Sequence, residues 1–134
     1  MDIALVGAFA QMAYNQGTDL FAYQNNRILA GAEYVAKYNL GYDVPFTQYN
    51  NSGFSNSVIS PTGRGTIRPI WDLIYYHYAA VKGVPAPYSS QMAMLVRSMT
   101  DDADSGAGSY GPNSGGFDQL GFTTLLYAQD PGQA

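Results

Sequence analysis

Apolar positions recur with the 3.6-residue period of helices over four stretches of the chain and lose it in two others. Asp2 to Tyr14, DIALVGAFAQMAY, is apolar almost all round, which predicts a helix buried on several sides. Gly17 then breaks the chain; Thr18 is placed to cap a second helix, Asp19 falls in its first turn, and Gly41 stands just past its end. From Tyr42 to Arg68 the period gives way to Pro, Gly, Asn, Ser and Thr, predicting a long loop with a small β-hairpin around Thr62 and Gly63. Pro69 takes the N1 position of a third helix that ends at Gly83 and carries Ile70, Leu73, Ile74, His77, Tyr78 and Val81 on one stripe. After a proline-rich turn, Ser89 to about Asp102 forms a fourth helix with Met92, Leu95, Val96 and Met99 on its apolar face. The run DDADSGAGSYGPNSGG is a loop by composition, and FDQLGFTTLLYAQ is a short apolar element compatible with helix or strand. The expected fold is all-α, with antiparallel helical hairpins in one domain over residues 1–134.

The second helix holds the most specific pattern. Tyr23, Arg27, Gly31, Tyr34 and Tyr38 are spaced 4, 4, 3 and 4, which places them on one face of a regular helix. Rings offer stacking area and a hydroxyl, arginine a planar fork for a carboxylate, and glycine a close approach. Two readings stand: the stripe packs against the chain's own neighbours, or it meets a flat, acidic sugar polymer. Glu33 and Lys37 lie on the other side as an i,i+4 pair, an arrangement that suits a solvated face. The chain has 12 tyrosines, yet only 12% of its residues are charged, about half the usual share. Hydroxyls and amides therefore carry most of its polar chemistry.

Six basic and ten acidic residues give a net charge of −4. That balance disfavours duplex nucleic acid as a partner but leaves room for a few arginines acting locally in a cleft. With no cysteine and one histidine, neither a disulfide framework nor a thiolate or multi-histidine metal site is available; only oxygen-ligand cations stay open, and no cofactor or metal is expected. The aspartates at 101, 102 and 104 lack the spacing of an EF-hand. The first helix is too short to cross a membrane, and no signal peptide is visible. If the helices that would cover it are missing from this chain, its apolar surface calls for self-association or for an absent N-terminal half. His77 falls on a buried stripe, where a packed core histidine and a catalytic one are both open readings, and Tyr76 is turned about 100° towards a cleft. No GxSxG, Walker or GxGxxG pattern is present.

The runs AYNQGTDLFAYQNNRILAGAEYVAKYNLGYDVPF (13–46), PTGRGTIRPIWDLIYYHY (61–78) and GGFDQLGFTTLLYA (115–128), in that order, resemble the C-terminal part of the alginate lyase-like polysaccharide lyases. The resemblance implies part of an (α/α)n toroid with a groove for a uronic-acid polysaccharide, and an extracellular or periplasmic location. It implies β-elimination: carboxylate neutralisation, removal of the C5 proton, and protonation of the departing O4. The family's Asn-His motif and its acid–base residue have no match here; Asn50-Asn51 is followed by serine. The chain is thus expected to be incomplete as a lyase on its own, with Tyr76 and His77 as its catalytic candidates. Gln16, Tyr23, Asn26, Arg27, Tyr34, Arg64 and Arg68 are the substrate-binding candidates, the arginines for their bidentate geometry. A non-catalytic acidic-glycan-binding module and a self-assembling structural protein are the alternatives.

Overall fold

The computed structural model describes residues 2–66, 70–99 and 126–130. Helix α1 spans Asp2–Asn15 and α2 spans Tyr23–Asn39. Strands β1 (Tyr49–Asn50) and β2 (Ser55–Asn56) follow, then α3 (Trp71–Ile74), which runs on as a π-helical segment over Tyr75–Val81, and α4 (Pro87–Met99). The protein is mostly helical, with one small antiparallel sheet among the described residues. The expected loop at 101–116, the apolar element up to residue 125 and Pro69 lie outside the described residues.

The third helix is the most enclosed. Trp71, Asp72, Leu73 and Ile74 are all buried, so a full turn of α3 is enclosed rather than one stripe of it. Ile70 and Ile74 meet α1 at Gly7, where an added Cβ would lie 3.5 Å from the Ile70 side chain. Small residues, Ala4 and Ala10, continue that inner face of α1. From the other side Met92, Ala93 and Val96 of α4 and Leu29, Ala32 and Ala36 of α2 complete the core. Burying Asp72 is costly unless it is paired, and Arg97 of α4 supplies an ion pair. The predicted stripe of this helix holds through its first two turns: Ile70, Leu73, Ile74, His77 and Tyr78 are buried, and Val81 at its end is half-buried. The burial of Trp71 and Asp72 is additional. The wider π turn shifts residues after Ile74 away from the ideal 100° spacing.

Three local expectations change. Thr18 does not cap α2; the Asp19 carboxylate accepts the Ala22 amide at 3.1 Å, and regular helix starts later. Gln24, Asn25 and Asn26 have φ of 47°, 57° and 60°, a left-handed turn at the head of α2 that costs roughly 1–2 kcal/mol per residue. The hairpin forms at residues 49–56, because Asn51 Oδ1 accepts the amides of Gly53 and Phe54 at 2.9 and 2.8 Å and closes the turn. Around Thr62 and Gly63 the chain makes successive turns instead. The far end of α2 is as predicted: Gly41 has φ 102°, and the Gly41 and Tyr42 amides bond to Tyr38 and Lys37 carbonyls in a Schellman closure.

The Glu33 side of α2 is not the solvated face expected. Its carboxylate accepts the Tyr88 and Ser89 amides at 3.1 and 2.7 Å, so it caps α4 from a neighbouring helix. Lys37 lies over the Tyr88 ring, 5.4 Å from its centre. Pro87 at N1 brings no amide to be satisfied, and the carboxylate meets the positive end of the α4 dipole.

Candidate functional site

The left-handed turn shapes the first cluster of candidates. A regular helix would carry Tyr23 onto the stripe with Arg27; three residues wound the other way break that register. Tyr23 is 63% exposed, and Arg27 is exposed, its side chain making no hydrogen bond or ion pair among the described residues. Gln24 and Asn25 are also exposed, Asn26 is half-buried, and Gln16 is exposed in the turn leaving α1. Amides, a phenol and a guanidinium thus share the α1–α2 connection and the head of α2. These are the donors and the ring face that a carboxylated sugar takes up.

At the other end of α2 the candidates are occupied by the protein itself. The Tyr34 hydroxyl donates to the Pro45 carbonyl at 2.6 Å, and the Tyr38 hydroxyl donates to that of Ser60 at 2.7 Å. Arg64 donates from Nε to the Tyr38 carbonyl (2.8 Å) and from Nη2 to the Tyr42 carbonyl (3.0 Å), with its guanidinium 4.1 Å from the Tyr38 ring centre. It finishes the C-terminus of α2, where the dipole favours a cation. Gly31 faces Ile3 of α1, whose Cδ1 would be 3.2 Å from an added Cβ, so its close approach serves helix packing. Beside Arg64 lies a cavity of about 260 Å³, walled by Ile3, Val35, Asn39, Thr66 and Trp71. Asn39 is engaged through both ends of its amide, donating to Val35 and accepting from Gly65, so the polar atoms there mostly hold the loop. Eleven helical steps, from residue 27 to residue 38, separate Arg27 from this end, a rise of about 17 Å. Arg27 and Arg64 therefore do not converge on one carboxylate, and Arg68 lies outside the described residues.

His77 sits in an aromatic enclosure. Its ring stacks on Phe21 with centroids 3.7 Å apart, and Tyr14 and Tyr78 meet it edge-on at 5.2 and 5.1 Å. Burial lowers its pKa from 6.5 to about 4; nearby Asp19 opposes the shift and Lys82 adds to it. The imidazole is therefore neutral at pH 7. Tyr78 donates its hydroxyl to the Phe21 carbonyl at 2.7 Å, and burial raises its pKa. Tyr76, one residue from His77, is half-buried and borders an open groove with Ala128, Gln129 and Asp130. The Arg97 guanidinium stands 5.4 Å from its ring.

No family model matches the chain, and no curated protein or solved structure does. Among the described residues no group of three or more His, Asp or Glu is placed to hold a metal ion, and no helix is long and apolar enough to cross a membrane. Sequence reasoning missed Arg97 as the partner of Asp72 and Glu33 as the cap of α4. The only signal available was a carboxylate inside an apolar run, WDLI, which demands a cation from elsewhere.

Proposed function

We propose that this chain binds uronic-acid polysaccharide through the exposed head of α2, as part of a lyase-type (α/α)n toroid, and is not a complete lyase on its own. The observation that carries this reading is the exposed pair Tyr23 and Arg27, held out by a left-handed turn of amide residues. Strained backbone of that kind persists where the surroundings enforce it, and it concentrates at ligand sites. The ring of Tyr23 gives a sugar a stacking face, Arg27 a fork for its carboxylate, and Gln16, Gln24 and Asn25 donors for its hydroxyls. An extracellular or periplasmic location belongs to the same proposal, since such polymers are found there.

Elimination chemistry needs a base and an acid at one sugar ring. His77 has its ring faces against Phe21 and other aromatic residues, so Tyr76 is the better placed of the two candidates to give a proton to a departing oxygen. The sequence has no match to the Asn-His motif the family resemblance calls for, and this supports binding without turnover.

Calorimetric titration with oligoglucuronate and with a neutral oligosaccharide of equal length tests the reading. Wild type should bind the acidic ligand, Arg27→Ala should weaken it about tenfold, the worth of one charge-assisted contact, and Tyr23→Ala should weaken both ligands. Equal loss on both ligands for Arg27→Ala, or no binding by wild type, would sink it. Unsaturated-uronate absorbance from the purified chain would restore the lyase reading.

A further inference from the structure

We infer that the outer face of α1 is a homodimer interface, formed by two copies of α1 packed antiparallel about Phe9. The helix is inverted in size. Between Ile3 and Tyr14, which pack half-buried against the core at its two ends, its inner face presents only Ala4, Gly7 and Ala10, while Leu5, Val6, Phe9 and Met12 point outward with 49%, 41%, 63% and 65% of their surface exposed. A helix folded only against its own domain gains most by burying its large side chains and exposing its small ones. The reverse arrangement leaves a contiguous apolar patch on the order of 400 Å².

Three features select a second copy as occupant. Leu5, Phe9 and Met12 follow i, i+4, i+7 and are nearly palindromic about position 8.5, so an antiparallel copy sets Leu5 against Met12 of the other copy and the two Phe9 rings near the two-fold axis. No charged residue occurs from Ile3 to Thr18, so self-pairing opposes no like charges and offers a charged partner no handle. The antiparallel arrangement also opposes the two helix dipoles favourably. The area, about 800 Å² for the pair, lies below the ~1,200 Å² of standard stable interfaces, so the dimer belongs with the weak, concentration-dependent ones.

Sedimentation velocity on the full chain from 5 to 500 µM should show a monomer–dimer equilibrium; a monomer throughout overturns the inference. Phe9→Glu should abolish association. Met94→Glu, at an equally exposed apolar site on α4, should leave it intact; equal sensitivity of the two sites also overturns it. Because the chain has no native cysteine, mild oxidation gives a geometric check. Phe9→Cys should cross-link to itself. Leu5→Cys should not, since its equivalents are separated by about 10 Å along the axis. Self-linking of both variants would mean parallel helices and rejects the proposed arrangement.

Discussion

At the scale of single residues, His77 shows how a burial pattern becomes a titration. Its place on the stripe with Leu73 and Ile74 was readable from spacing alone, because apolar neighbours four and three residues before it turn the imidazole inward. The stacking on Phe21 was not readable, since those residues meet only through the turn after α1. Enclosure depresses the folded-state pKa to about 4 while the unfolded chain keeps 6.5. The unfolded state therefore binds the proton first as pH falls. Stability is complete above about pH 6.5 and is lost progressively towards pH 4, by about 2 kcal/mol at pH 5 and about 3 kcal/mol at pH 4. His77→Phe keeps a ring against Phe21 and removes the proton site. Urea denaturation at pH 7 and pH 5 should show the loss in wild type and not in the variant; the same loss in both would assign it to other groups.

At the scale of elements, helix existence was legible and helix termini were not. Gly41 announced the end of α2 because its φ of 102° suits glycine and few other residues. The head of α2 misled, since Gln and Asn are ordinary in helices and no local rule demands that three of them wind left-handed. The Glu33–Lys37 spacing pointed to a surface pair, yet the carboxylate's partners are amides 55 and 56 residues away. Long-range capping leaves no trace in a window of neighbouring residues. The same holds for Arg64, whose carbonyl partners Tyr38 and Tyr42 lie at the end of a different element. Glu33 is half-buried, and its two bonds hold the start of α4 to the side of α2. Glu33→Ala should cost about 2 kcal/mol, the range for hydrogen bonds to a charged group, and should speed amide exchange at Tyr88 and Ser89. Glu33→Gln, with one carbonyl oxygen retained, should recover part of both. An alanine variant as stable as wild type would show that the cap contributes nothing net.

At the scale of the whole molecule, charge gives the glycan proposal a signature that a basic binding protein lacks. The chain carries −4 overall and is asked to hold a polyanion by one exposed guanidinium at the head of α2. These two effects act over different ranges. Net repulsion extends over the Debye length, ~30 Å at 0.01 M salt, and is largely screened at 0.15 M, where that length is ~8 Å. The contact between Arg27 and a carboxylate, at about 3–4 Å, survives that change and weakens only near 1 M, where the screening length reaches ~3 Å. Affinity for oligoglucuronate should therefore rise as salt increases from 0.01 to 0.15 M and fall again towards 1 M. Arg27→Ala should keep the rise, because the repulsion remains, and lose most of the fall. A protein that grips a polyanion with a broad basic surface shows instead a steady decline from the lowest salt, as counterion release requires. A steady decline measured for this chain would place the binding somewhere other than Arg27, and a salt-independent affinity would mean that the carboxylates are not what is recognised.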